Sequence, residues 1–92
     1  MDKKYREELM RLLVSIKNPK LMDEFLEDLL TPSEFEDISI RWQIIKLLSR
    51  RIPQREISTN LGVSIAKITR GSRELLNEKG GFWKVLKNYK MK

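Results

Sequence analysis

Residues 54–73 read QREISTNLGVSIAKITRGSR, and this stretch decides the fold of the chain. Ile57 and Leu61 are four residues apart, which places both on one face of a short helix. Gly62 then supplies the backbone freedom that a tight turn between two helices needs. The apolar residues expected to pack a second helix back onto the first are Val63, Ile65 and Ile68. This spacing is typical of a helix-turn-helix, although an ordinary helical hairpin with a glycine corner shares it.

The polar positions of this stretch carry side chains suited to nucleic acid. Basic and short polar side chains contact phosphates and base edges in protein–DNA interfaces. The residues expected to face DNA are Arg55, Ser58, Ile65, Ala66, Lys67, Thr69 and Ser72. Arg55 is the best candidate for a direct guanine contact, because a guanidinium fork matches the acceptors of guanine. The residues expected to hold phosphates are Arg50, Arg51 and Arg73.

The positive charge of the chain is concentrated around the same stretch. The 92 residues include 19 Lys and Arg and 13 Asp and Glu, a net charge of +6. Residues 1–40 carry 10 acids and 6 bases, whereas residues 41–77 carry 8 bases and only 2 acids. Residues 78–92 add five lysines and one glutamate. This distribution indicates a face that binds duplex DNA, with an ordinary solvated basic face as the alternative.

The composition excludes several classes of function. The chain has no cysteine and no histidine, which rules out disulfides and thiol catalysis and removes the usual zinc ligands and the commonest general base. No acidic residues converge around the basic segment, so we expect no catalytic residues, no metal and no enzyme activity. No apolar run approaches the roughly 20 residues of a membrane span. The charged N-terminus does not resemble a signal peptide, so the sequence predicts a soluble cytoplasmic protein.

Every segment of the chain has the pattern of a helix. Apolar residues recur at helical spacing over residues 9–16 and 21–30. Asn18 is predicted to cap the second helix, and Thr31 with Glu34 is predicted to form a capping box at the start of the third. The third helix is expected to run to about Arg50. Its inward positions are predicted to be Phe35, Ile38, Trp42, Ile45 and Leu48.

The sequence predicts a single domain over residues 1–92 with three parts. Residues 1–50 form dimerisation helices, residues 53–76 form the helix-turn-helix, and residues 82–90 form a short C-terminal helix after a break at Gly80-Gly81. The first three helices carry more apolar surface than so short a chain is expected to bury. A second copy of the chain would cover it, and a compact monomer is the alternative.

Several segments resemble the bacterial Trp repressor family. They read LLTPSE at 29–34, RWQII at 41–45, QREI at 54–57, LG at 61–62 and IAKITRGS at 65–72. The resemblance implies an all-α, six-helix intertwined dimer with a helix-turn-helix. Such a dimer presents two motifs to successive major grooves of operator DNA, a geometry for which the Trp repressor itself is a standard example. It also implies a sequence-specific repressor activated by L-tryptophan as corepressor; a ligand-independent DNA-binding relative is the alternative.

The resemblance further implies a tryptophan site between the third helix and the second helix of the motif. Arg41 and Arg70 would hold the indole ring between them, and Arg70 would also pair with the ligand carboxylate. Gly71 would let the backbone approach the ligand closely. Glu74 lies beside the carboxylate side of this site, where it would either repel the ligand or pair with Arg70 or Arg73. The alternative is that both arginines are ordinary surface or phosphate-contacting residues.

The resemblance assigns the ligand ammonium to the partner subunit. Main-chain carbonyls near Asp28 and Leu30 of the partner would accept it, with Thr31 beside them. The carboxyl end of a helix presents negative dipole, which favours a cation at that position.

Overall fold

A computed structural model describes residues 1–89 of the chain, and these residues form six α-helices and no strand. The helices are α1 Lys3–Ser15, α2 Pro19–Leu29, α3 Pro32–Ser49, α4 Gln54–Leu61, α5 Ile65–Leu75 and α6 Gly81–Asn88. The all-helical prediction is therefore confirmed. The predicted last helix, 82–90, begins one residue earlier and ends at Asn88, and its position 90 lies outside the described residues. Within residues 1–89 no helix is long and apolar enough to cross a bilayer.

The chain divides into two compact units, Met1–Glu36 and the part from Asp37 onward, and the boundary lies within α3. In the first unit, Asn18 caps α2 as predicted, because its side chain accepts a hydrogen bond from the Lys20 amide at 2.8 Å. No residue of α1 or α2 is buried, and Tyr5, Val14 and Leu21 are more than half exposed. The apolar side chains of this unit are therefore largely accessible within one chain.

The predicted capping box is present at the start of α3. The Thr31 amide donates to Glu34 Oε1 at 2.9 Å, and the Glu34 amide donates to Thr31 Oγ1 at 3.2 Å. The hydrogen bond from the Thr31 backbone, followed by that involving its side chain, lowers the pKa of Glu34 below its ordinary value. The carboxylate form of Glu34 therefore favours the start of this helix.

The second unit is built around buried isoleucines from three helices. Ile44, Ile57 and Ile68 form one cluster, and Ile45 is also fully buried. Half-buried side chains surround the cluster: Ile40, Leu47, Leu48, Ile52, Leu61 and Val63. Each of α3, α4 and α5 thus contributes one apolar face to a shared core.

Two of the predicted core positions are wrong. Ile38 is 41% exposed, because the core residues of α3 begin at Ile40 and lie in its carboxyl half. Ile65 is 45% exposed, because it is the first residue of α5 and lies one turn before Ile68 enters the core. Both side chains follow the correct helical periodicity but remain outside the buried core.

Tight turns with left-handed residues precede and follow α4. Gly62 has a φ of +65°, and its amide donates to the Ser58 carbonyl at 2.9 Å, so the predicted use of glycine's backbone freedom at this turn is confirmed. Arg51 has a φ of +62°, which is uncommon for a residue with a side chain. Its amide donates to the Leu48 carbonyl and the Ile52 amide donates to the Leu47 carbonyl, which closes the end of α3. The left-handed Arg51 thus turns the chain from α3 into α4.

Candidate functional site

A cavity of about 250 Å³ lies among α3, α5 and α6. Its lining residues are Arg41, Ile44, Ile45, Lys67, Arg70, Gly71, Glu74 and Phe82. The α5 residues recur at intervals of three and four, so they form one stripe along that helix. The α3 residues have the same spacing, and α6 contributes Phe82. One face of each helix therefore shapes the cavity.

The cavity has an apolar floor and a charged rim. Ile44, Ile45 and Gly71 are buried, and Phe82 is half-buried. The four charged lining residues are exposed. The volume is slightly below the roughly 300 Å³ at the lower end for drug-sized ligands. The arrangement suits a compact ligand with an apolar body and a charged end.

Gly71 brings the backbone of α5 against α3. A Cβ atom at this position would lie 3.1 Å from Ile44 Cγ2 and 3.4 Å from both Ile45 Cδ1 and Leu48 Cδ1. The close approach expected at Gly71 is therefore present, but its observed partner is the neighbouring helix. Its contact with a ligand stays a prediction.

The structure brings together four of the residues predicted to bind tryptophan: Arg41, Arg70, Gly71 and Glu74 all line the cavity. Glu74 forms no ion pair with Arg70 or Arg73 in the described residues, whereas Lys67 Nζ lies 4.0 Å from Asp37 Oδ1. Glu74 lines the cavity instead, which leaves its carboxylate accessible to a ligand.

The residues predicted to receive the ligand ammonium belong to the unit Met1–Glu36. Asp28 lies in the last turn of α2, and Leu30 caps that helix, its amide donating to the Leu26 carbonyl at 2.9 Å. Thr31 follows as the cap of α3. Their role toward a ligand on a second copy of the chain stays a prediction.

Sequence reasoning missed the aromatic wall of the cavity. Phe82 is the first residue of the predicted C-terminal helix 82–90, and no motif indicates that this helix closes the site. The structure shows what holds α6 there: Trp83 Nε1 donates to the Leu75 carbonyl at 2.8 Å, which ties α6 to the end of α5. Lys67, expected to face DNA, also lines the cavity and contacts Asp37.

Most of the residues predicted to face DNA are exposed. Arg55 lies on α4, and Ile65 and Ala66 occupy the start of α5. The arginines predicted to hold phosphates are exposed as well: Arg50, Arg51 and Arg73. Exposed basic side chains therefore lie on and beside α4 and α5.

Three hydroxyl residues of the predicted DNA-facing set are half-buried: Ser58, Thr69 and Ser72. The Ser58 hydroxyl donates to the Val63 carbonyl at 2.6 Å and so fixes the turn between α4 and α5. The Thr69 hydroxyl donates to the Ile65 carbonyl at 3.0 Å and lies 3.4 Å from Gln54 Oε1. Ser58 and Thr69 therefore already have hydrogen-bond partners within the fold.

Comparison with known proteins gives a consistent result. The sequence profile of the family described as "Trp repressor protein" matches residues 4–90. A Trp operon repressor homolog of Chlamydia caviae is 38% identical over 86 residues, 92% of this chain and 85% of that protein. One from Xylella fastidiosa is 43% identical over 70 residues, 75% of this chain and 76% of that protein.

A shorter match has a higher identity. A Trp operon repressor homolog of Actinobacillus succinogenes is 53% identical over 53 residues, which cover 56% of this chain. The match spans about half the length of that relative, 52%. No solved structure gives a significant match to the chain.

Proposed function

Because the chain belongs to the Trp repressor family, we propose that it is a dimeric, sequence-specific DNA-binding transcriptional repressor whose affinity for operator DNA is raised by L-tryptophan. In this proposal α4, the Gly62 turn and α5 form the DNA-binding helix-turn-helix. The cavity among α3, α5 and α6 takes the corepressor.

One observation carries the proposal: α5 borders the cavity and also bears exposed residues suited to DNA. Lys67, Arg70 and Glu74 line the cavity, whereas Ile65 and Ala66 at the start of the same helix are exposed. A ligand held between α3 and α5 therefore acts on the helix that would enter the major groove. No relay through a distant part of the fold is required.

The chemistry of the cavity supports an aromatic amino acid as ligand. Guanidinium groups stack on aromatic rings and pair with carboxylates, which suits Arg41 and Arg70. Ile44, Ile45 and Phe82 offer apolar surface to a ring. L-Tryptophan controls DNA affinity only if it binds the DNA-competent orientation of α5 more tightly than other orientations.

The test is selection of DNA by the full chain from a random duplex library, with and without 1 mM L-tryptophan. The proposal predicts enrichment of one sequence class, followed by affinity for it that rises about 5-fold to 150-fold with tryptophan, the usual range of allosteric coupling. Equal enrichment with and without tryptophan favours a ligand-independent DNA-binding protein. The observation that supports this alternative is the acidic Glu74 in the cavity. Absence of enrichment in both conditions contradicts sequence-specific binding.

A further inference from the structure

The cavity carries one acidic side chain among three basic ones. Glu74 shares the lining with Arg41, Lys67 and Arg70. Within residues 1–89, Glu74 forms no ion pair, and Lys67 is paired only with Asp37, at 4.0 Å. The carboxylate of Glu74 is thus accessible at the rim with no cation of the described chain bound to it.

Glu74 and Arg70 are placed to act on two opposite charges of one ligand. They are four residues apart on α5, so their backbones are separated by about 6 Å along the helix axis and their side chains lie on one face. An α-amino acid carries its carboxylate and its ammonium on the same carbon atom. A basic and an acidic side chain one helical turn apart match that arrangement.

We infer that Glu74 binds the ammonium of an amino-acid ligand while Arg70 binds its carboxylate, so that this cavity selects aromatic amino acids in their zwitterionic form. The inference rests on the proposed function, since it assumes that the cavity is the corepressor site. It gives Glu74 an attractive role in place of the repulsion that is one of the two expectations from the sequence. An ammonium has three N–H donors, so Glu74 accepts one of them beside the partner's main-chain carbonyls that the resemblance implies near Asp28 and Leu30.

The apolar lining fixes which end of the ligand lies at the rim. Ile44 is 3% exposed and Ile45 is fully buried, so the floor offers no polar partner from these side chains. Phe82, half-buried on α6, provides an aromatic surface against which a ligand ring packs. With the ring on this floor, both charged groups of the ligand remain at the rim beside Arg70 and Glu74.

The same geometry disfavours ligands that lack the ammonium. An indole acid without it would place its carboxylate near the arginines and leave Glu74 facing another negative charge. Discrimination through an unfavourable contact with the wrong ligand is a common source of specificity. Because Glu74 is exposed, water screens its charge. We therefore expect this charge to change the affinity for a ligand about fivefold.

The test uses isothermal titration of the full chain with L-tryptophan and with indole-3-propanoate, which lacks only the ammonium. Glu74→Gln removes the charge and keeps the shape. Glu78→Gln is the matched control, because Glu78 is exposed, lies one turn further along the chain and does not line the cavity. Circular dichroism checks that each variant keeps the helical content of the parent.

We expect Glu74→Gln to weaken L-tryptophan about fivefold and to tighten indole-3-propanoate, while Glu78→Gln leaves the ratio of the two affinities unchanged. Suppose that the parent binds L-tryptophan and that Glu74→Gln leaves its preference for L-tryptophan over indole-3-propanoate unchanged or raises it. The inference is then overturned and the proposed function stands. If the parent binds neither compound at millimolar concentration, the corepressor part of the proposed function fails and the inference fails with it.

Discussion

Replacement of Gly71 by alanine tests whether the contact between α5 and α3 is as close as the structure indicates. The added Cβ would lie 3.1 Å from Ile44 Cγ2, closer than ordinary van der Waals contact, and 3.4 Å from two further methyl groups. Ile44 is 3% exposed and Ile45 fully buried, so these branched side chains have little room to withdraw. The substitution therefore forces the two helices apart or strains the core.

Two opposing contributions determine how much Gly71→Ala changes the free energy of unfolding. Overpacking a well-packed core costs about 1–3 kcal/mol. Alanine in a helix interior recovers up to about 1 kcal/mol relative to glycine. The net loss is about 1 kcal/mol, which lowers Tm by about 4–8 °C for a chain of this size.

The assay is thermal unfolding followed by circular dichroism at one fixed protein concentration, because association makes Tm concentration-dependent. Gly81→Ala is the matched control, since a Cβ at Gly81 would meet nothing within 4 Å. We expect this control to be as stable as the parent or slightly more stable. A Gly71→Ala variant as stable as the Gly81→Ala control would refute the close packing of α5 on α3.

Four further outcomes are expected. Arg55→Ala should weaken binding to the selected DNA by about 1–3 kcal/mol and leave random duplex binding nearly unchanged; equal loss on both would contradict a base-reading role. Arg70→Ala should reduce L-tryptophan affinity by one to two decades in calorimetry while the helical content stays unchanged, because a hydrogen bond to a charged group contributes about 1.5–3 kcal/mol. Sedimentation at micromolar concentration should give a dimer, and a folded 11.0 kDa monomer would contradict the proposed assembly. Arg51→Gly should raise the free energy of unfolding, measured by urea titration, by about 1 kcal/mol, because glycine adopts the positive φ of this position without steric cost. A free energy of unfolding below that of the parent would show that the Arg51 side chain stabilises the fold.

Local rules predict the helices and their ends well because both depend on neighbouring residues. Asn18, the Thr31–Glu34 capping box and the left-handed Gly62 act within a few residues of their own positions. Burial is less predictable, since it depends on which helix covers a side chain. Ile38 and Ile65 have the same periodicity as core residues, yet they are 41% and 45% exposed.

The candidate cavity was predicted only in part for a related reason. Arg41, Arg70 and Gly71 lie in segments that resemble a known family and Glu74 follows the last of these segments, whereas Phe82 lies well beyond them. Nothing in the sequence around Phe82 indicates where α6 lies. In the structure a hydrogen bond from Trp83 to the Leu75 carbonyl joins α6 to the end of α5, a contact made across a break in the helical pattern.

Under the proposed function, that hydrogen bond would also include α6 in the response to a ligand. Trp83 ties α6 to the carboxyl end of α5, and the neighbouring Phe82 lines the cavity. Under the proposed function, a bound ring would contact α3 through Ile44, α5 through Gly71 and α6 through Phe82. A ligand that contacts three helices restricts all three at once, whereas a charged head group held by Arg70 alone leaves α5 free to tilt. Control of DNA binding then depends on the apolar part of the ligand, and its charged end decides which ligand is accepted.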